Sequence, residues 1–283
     1  MKIITSVKSL RHTIDKFKGS GKTIGFVPTM GFLHEGHASL LRQSGRDVDV
    51  TVLSIFVNPL QFGPAEDLKN YPRDIKKDEL LAKKENVDII FYPSVDEIYP
   101  TGFLTHVYVD DLSDRLCGKS RPGHFGGVAT VVLKLVNMVD PDVMYLGQKD
   151  AQQAVIVRKM LQDLNVPVKV KILPTVREAD GLAMSSRNSY LSLRERREAI
   201  VLYKALNQAK TLIKNGERTA KTIVLGMAKM IQEESQGIID YIQCVNAQNL
   251  SVIDVLKNEV LIVLAVKFGR ARLIDNIIVR VNE

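Results

Sequence analysis

The chain has only two cysteines in 283 residues, Cys117 and Cys244, and they stand far apart. Such sparse cysteine supplies neither a disulfide framework nor a paired-cysteine zinc motif, and it fits a reducing compartment. No apolar run approaches the roughly 20 residues that span a bilayer. Met1 to Leu10 carries no hydrophobic signal core either, so a soluble cytoplasmic protein with no membrane partner is expected. Internal repeats, low-complexity tracts and a His-Glu-x-x-His zinc motif are also missing, as is a Gly-x-Gly-x-x-Gly fingerprint after the first apolar strand. The last absence argues against a dinucleotide site. Gly19-Ser20-Gly21-Lys22-Thr23 is not a P-loop: Lys16 stands where the leading glycine belongs, and the strand follows the segment instead of preceding it.

The composition is that of an ordinary globular protein, with 45% apolar and 25% charged residues, and the length suffices for two cores. Basic residues exceed acidic ones to give a net charge of +7. Runs such as Lys83-Lys84 and Arg194 to Arg197 have no interleaved aromatics, so they read as solvated helix faces and predict no nucleic-acid partner. A phosphate-rich small molecule is enough to use the excess charge.

Apolar, β-branched runs at Thr23–Val27, Val50–Val57, Val87–Tyr92, Asp142–Leu146 and Val168–Leu173 alternate with helical patterns. That alternation predicts an α/β fold: a Rossmann-like parallel-sheet N-terminal domain, residues 1–176, with ligands beyond the carboxyl ends of its strands. After Arg187 the pattern changes. One charged amphipathic helix is expected over Leu193–Lys214 and a second over Thr219–Glu234, followed by strands at Ile238–Val245, Val260–Val266 and Ala271–Val279. Residues 177–283 therefore read as a smaller α+β C-terminal lid domain containing an antiparallel sheet.

The densest chemistry lies in Pro28-Thr29-Met30-Gly31-Phe32-Leu33-His34-Glu35-Gly36-His37, between the first apolar strand and a helix. Helix-start N–H groups lack partners and carry the positive end of the helix dipole, which favours polyphosphate. Gly36 removes a side chain that would hold a nucleotide off that backbone, and His34 and His37 can donate to phosphate oxygens. A plain helix cap with two exposed histidines and a His-x-x-His metal pair are the alternatives to a nucleotide site.

Other polar clusters follow predicted strands. Gly147-Gln148-Lys149-Asp150 offers a cation for phosphate and a carboxylate that caps a helix or binds ribose; a structural turn is the alternative. Met184-Ser185-Ser186-Arg187 sets hydroxyl donors beside a cation, with Gly181 supplying backbone freedom. Asn58, Gln61 and Gln153 can hydrogen-bond a small polar acid without adding charge. Arg121 and His124, in a glycine-rich helix entry, lean only slightly toward binding.

The pairing of His34-Glu35-Gly36-His37 with Met184-Ser185-Ser186-Arg187 resembles the signatures of class I aminoacyl-tRNA synthetase-like nucleotidyltransferases. Longer runs narrow the resemblance to the pantothenate synthetase (pantoate–β-alanine ligase) family: the 28–37 segment, Phe56 to Phe62, Tyr71-Pro72-Arg73, Gly147 to Asp150 and Val176 to Asn188. The match spans nearly the full chain, with the C-terminal third poorer in motifs. The resemblance implies ATP-dependent joining of (R)-pantoate to β-alanine through a pantoyl-adenylate, releasing pyrophosphate and then AMP. It implies ATP contacts from Met30, Gly31, Phe32, Leu33, His34, Glu35, Gly36, His37, Gly147, Gln148, Lys149, Asp150, Val176, Met184, Ser185, Ser186 and Arg187. His37, His34, Lys149 and Arg187 carry the catalysis in that scheme. Gln61, Gln153 and Asn58 hold pantoate, and Gln61 also serves β-alanine. Mg²⁺ is expected on ATP oxygens with no dedicated protein metal site; Asp78, read as part of a solvated helix face, is the weak candidate ligand. A homodimer is expected. Another small-molecule adenylyltransferase of the superfamily, or a non-catalytic nucleotide-binding protein, is the alternative function.

Overall fold

A computed structural model describes residues 1–64, 66 and 68–281. In chain order its elements are β1 (Lys2–Ile4), α1 (Val7–Gly19), β2 (Ile24–Thr29), α2 (Glu35–Asp47), β3 (Val50–Ile55), α3 (Ile75–Lys84), β4 (Ile89–Phe91), α4 (Val95–Ile98), α5 (Cys117–Ser120), α6 (His124–Val139), β5 (Val143–Gly147), α7 (Ala151–Asp163) and β6 (Lys169–Leu173). There follow α8 (Leu193–Glu198), α9 (Val201–Lys214), α10 (Ala220–Glu234), β7 (Ile238–Asn246), β8 (Asn258–Phe268) and β9 (Ala271–Val281). The chain divides into two compact units. The first comprises 1–114, 121–147 and 156–174; the second comprises 115–120, 148–155 and 175–283.

The first unit is built on a six-stranded sheet in the order β1-β4-β3-β2-β5-β6, parallel throughout. β3 is buried along its whole length, as a strand covered on both faces must be. β2 pairs with β3 on one side and with β5 on the other, so the strand order reverses there, and the chain leaves these neighbours at Thr29 and Gly147. Leu40 and Leu41 of α2 are buried against Val27, Leu53 and Tyr145. Each leucine contributes about 1.5–3 kcal/mol to docking that helix. The Gly19–Lys22 segment is the turn from α1 into β2, with the helix before it and the strand after it, the reverse of a P-loop.

The second unit packs α9 and α10 on an antiparallel sheet in the order β7-β8-β9. Leu202, Leu206 and Ile213 of α9 and Ile223, Met227 and Ile231 of α10 are buried with Ile262, Leu264 and Val266 of β8. A two-residue turn, Gly269-Arg270, joins β8 to β9, and Gly269 takes φ 53°. The helix expected over 193–214 is two helices. Leu202 and Tyr203 donate to the carbonyls three residues back, at Ala199 and Ile200, so the turn tightens and splits the run. β1 has no counterpart among the expected strands. Among the described residues no helix is long and apolar enough to cross a membrane.

A partly buried polar cluster braces this unit. Arg272 donates to Asp240 Oδ2 from Nε at 2.9 Å and from a terminal nitrogen at 2.6 Å, and Ser120 Oγ donates to the same oxygen at 2.8 Å. The Cys117 thiol lies 3.0 Å from the Tyr241 hydroxyl. Burial pushes the Asp240 carboxyl up, but Arg272 and Ser120 outweigh it and hold the group below its ordinary range.

Candidate active site

In the first unit the segment 30–37 is held by its own backbone and by one buried carboxylate. Gly31 has φ 82° and Phe32 φ 51°, a left-handed conformation that costs a bulky L-residue about 1–3 kcal/mol. Asp78 of α3 compensates by accepting the N–H of Phe32 at 2.9 Å and the N–H of Leu33 at 2.6 Å, one on each oxygen. The solvated-face reading of Asp78 is therefore corrected: the residue is 1% exposed and turns inward from a helix whose neighbouring residues are charged. Burial pushes its carboxyl up, against the pull of the two N–H donors. With both oxygens engaged, Asp78 is a support for the loop.

His34 is the N-cap of α2. Its Nδ1 accepts the N–H of Gly36 at 3.1 Å, while Nδ1 of His37 reaches back to the N–H of His34 at 3.2 Å. This is a capping box with imidazoles in place of hydroxyl and carboxylate. An Nδ1 that accepts carries no hydrogen, so each neutral ring bears its proton on Nε2 and presents that N–H as a donor. The helix-cap alternative and the phosphate-donor reading are thus compatible, because each ring caps with one nitrogen and can donate with the other. A side chain at Gly36 would meet the His34 ring at 2.8 Å. The glycine makes room for the histidine first.

Gln61 ends a short 3₁₀ turn, Pro59–Gln61, that Asn58 caps. Asn58 is 1% exposed, and its amide is fully used. Nδ2 donates to Gln61 Oε1 at 3.2 Å and to the Gly127 carbonyl at 3.0 Å; Oδ1 accepts from Leu60 N–H at 3.2 Å and from the Tyr99 hydroxyl at 2.8 Å. Two donor hydrogens and two lone pairs are all an amide has. Burial pushes the Tyr99 hydroxyl up, so it stays a donor. Since Oε1 of Gln61 is held by Asn58, its Nε2 is the donor end toward the 30–37 segment and donates to Met30 Sδ at 2.9 Å. Gln61 and the 30–37 segment are therefore brought together.

His124 Nδ1 lies 2.8 Å from the Gln61 carbonyl and its Nε2 lies 2.9 Å from the Arg121 guanidinium. Only a neutral ring with the proton on Nδ1 satisfies both contacts. Arg121 in turn holds Glu66 with two hydrogen bonds of 2.6 Å. Arg121 and His124, suspected of binding, fix the main chain of Gln61.

In the second unit, Gln148–Asp150 forms a 3₁₀ turn leading into α7, with Lys149 Nζ 3.6 Å from Asp150 Oδ1. Gln153, one residue past the buried Gln152, is partly exposed. Val176 to Met184 forms a tight hairpin: Arg177 bridges Ala183, and Met184 N–H donates to the Val176 carbonyl at 3.0 Å. Gly181 at φ 96° is covered by the Tyr203 ring, where any side chain would collide. Arg177 stacks over that ring at 4.6 Å and pairs with Asp275 at 2.5 and 2.9 Å. Beyond the hairpin, Ser185 caps the short helix 186–190 by accepting Arg187 N–H at 3.2 Å, and Asn188 ties it to Glu178 and Ala183. Ser185, Ser186 and Arg187 thus sit on an anchored turn.

Among the described residues no group of three or more His, Cys, Asp or Glu side chains is placed to hold a metal ion.

A histidine-capped helix start after the switch-point strand of a parallel sheet, with the uncharged amide donor of Gln61 beside it, defines an α/β protein equipped for a phosphorylated ligand and a small acid. The sequence profile of the pantoate–β-alanine ligases matches residues 2–278, and the chain belongs to that family. It is 54% identical over 279 residues to the pantothenate synthetase of Caldicellulosiruptor bescii, covering 99% of each chain. The crystal structure of the pantothenate synthetase from Thermus thermophilus superposes with a TM-score of 0.93 at 41% identity, over 98% of this chain and 99% of that one. The pantoate–β-alanine ligase from Francisella tularensis, solved with an ATP compound and β-alanine, gives a TM-score of 0.80 at 33% identity over 98% and 97% of the two chains.

Proposed function

We propose that the chain ligates (R)-pantoate to β-alanine at the expense of ATP, through a pantoyl-adenylate, in the cytoplasm and as a homodimer. The observation that carries this reading is the Asn58 lock on Gln61, which presents an uncharged N–H donor beside Met30, within the segment whose helix start favours phosphate. A neutral donor suits a carboxylate that must stay nucleophilic, since a cation would hold its charge back.

Pantoate's carboxylate is ionised at neutral pH, so adenylation needs alignment and charge stabilisation and no strong base. A carboxylate oxygen attacks the α-phosphorus, the bond from that phosphorus to the bridging oxygen breaks, and pyrophosphate leaves. His34 and His37 donate from Nε2 to the phosphates, with His37 the proton donor. Lys149, Ser185, Ser186 and Arg187 supply further donors and positive charge. Main-chain and apolar contacts from Met30, Gly31, Phe32, Leu33, Glu35, Gly36, Gly147, Gln148, Val176 and Met184 hold the nucleotide, and Asp150 takes the ribose. Mg²⁺ enters on the ATP oxygens as part of the substrate.

Gln61 and Gln153 hold pantoate, and Gln61 then serves β-alanine. Asn58, with its amide spent inside the protein, acts by orienting Gln61. In the second step the neutral amine of β-alanine attacks the acyl carbon, AMP leaves with the former carboxylate oxygen, and the amine gives up a proton. No enzyme nucleophile is used.

Purified protein given ATP, Mg²⁺, (R)-pantoate and β-alanine should release pantothenate, AMP and pyrophosphate in equal amounts. Formation of ADP, or AMP release that ignores pantoate, contradicts the proposal.

A further inference from the structure

The ligase reading leaves two buried polar residues of β9 without a role. Asp275 and Asn276 are 2% and 4% exposed inside a strand otherwise rich in apolar side chains. Neighbours on a strand point to opposite faces, and these two meet the two ATP-related segments of the second unit. Asp275 receives Arg177 and, through it, the base of the hairpin that leads to Ser185; Arg177 also donates to the Gly181 carbonyl at 3.1 Å.

Asn276 addresses the other segment. Its Nδ2 donates to the carbonyls of Gln148 and Lys149 at 3.0 and 2.9 Å, and its Oδ1 accepts from the Gln148 side chain at 2.9 Å. Both amide hydrogens are spent on successive carbonyls of one turn. A trans peptide sets each N–H opposite the preceding C=O. Drawing the carbonyls of Gln148 and Lys149 to Asn276 therefore turns the N–H groups of Lys149 and Asp150 away from it, and fixes the backbone from which the Lys149 side chain departs. The main chain from which that side chain departs is held in turn, because Asp275 Oδ1 accepts the backbone N–H of Asn276 at 2.8 Å.

We propose that Asn276 is a positioning residue for adenylate formation, acting through the Gln148–Asp150 turn, and that Asp275 does the same for the Ser185–Arg187 turn through Arg177. The pair would make β9 a common strut for both phosphate-handling segments. A strand is suited to this, since its ladder to β8 runs without a register break from Asn258–Val281 to Phe268–Ala271.

The inference rests on the ligase reading, and its test separates the two. Pantoate-dependent exchange of labelled pyrophosphate into ATP reports the first step alone. If the parent protein shows no exchange, the ligase reading fails. If the parent exchanges, Asn276→Ala should slow exchange about 10²-fold and raise the KM for ATP. Its KM for β-alanine should stay within about twofold, as should the rate at which β-alanine captures supplied pantoyl-adenylate. A loss of structure would depress every step together, and circular dichroism reads that directly. Asn276→Asp keeps the shape but replaces both donors by oxygen facing two carbonyls, so it should match the alanine variant; it decides the question if Asn276→Ala does not fold. Exchange at the parent rate in either folded variant overturns the proposal, as does an equal loss in both half-reactions.

Discussion

The Nδ1 atom of His37 accepts the backbone N–H of His34 at 3.2 Å, and the two imidazole rings lie 4.1 Å apart. The contact puts the proton of a neutral His37 ring on Nε2, and it makes one residue both a helix cap and a candidate proton donor. These roles separate by substitution. His37→Gln keeps an acceptor at the third helical position, as an ordinary capping box does, so Tm should move by no more than about 2 °C. Turnover should nevertheless fall about 10²–10³-fold. His37→Ala loses the cap as well, at about 1 kcal/mol. Thermal unfolding beside steady-state rates checks both.

Asp78 tests whether loop geometry controls ATP affinity. Asp78→Asn leaves one acceptor oxygen for two N–H groups, so the positive φ at Phe32 is less well held, and the KM for ATP should rise about tenfold. The stability change has a defined pH dependence. Burial raises the folded-state pKa of Asp78 above the unfolded value of about 3.9. Its contribution is therefore most favourable below that unfolded value and is lost as pH rises through the folded one. The parent's margin in Tm over the variant should widen as pH is lowered from 7 to 4.

Much of this was legible in the sequence, and the boundary is physical. β2, β3, β4 and β5 announce themselves as apolar runs because both sheet faces are covered. The segments proposed to handle phosphate stand out because glycine, histidine and serine cluster locally. What supports them does not stand out. Asp78 lies among Lys76, Lys77 and Glu79, and its inward turn depends on an N–H pair more than forty residues away. Asp275 and Asn276 interrupt an apolar strand for partners about a hundred or more residues back. β1, with three residues and only Ile4 buried, carries too short a pattern to read.

Gln61→Glu keeps the length of the side chain and sets a carboxylate where the amide N–H₂ stands. Two like charges would then meet at the proposed pantoate site, so the KM for pantoate should rise about 10²-fold or more. The KM for ATP should change only a few-fold. Substrate-dependence curves for each ligand separate the two effects.

Asp240 governs acid stability of the second unit. Its carboxyl is held below the ordinary range despite burial, because Arg272 and Ser120 donate to it. A depressed folded-state pKa gives stability that is fully present above the unfolded value of about 3.9 and is lost as pH falls through the folded one. Asp240→Asn should lower Tm at pH 7 and flatten its decline below about pH 4. Calorimetry across that range reads both.

The most direct test of the account follows an oxygen atom. With ¹⁸O in the carboxylate of (R)-pantoate, attack on the α-phosphorus and later expulsion by the amine of β-alanine must leave one labelled oxygen in AMP and one in the new amide carbonyl. Mass spectrometry of the products should find AMP carrying a single ¹⁸O, one for each pantothenate formed. Unlabelled AMP, or label in inorganic phosphate released beside ADP, would contradict transfer through a pantoyl-adenylate.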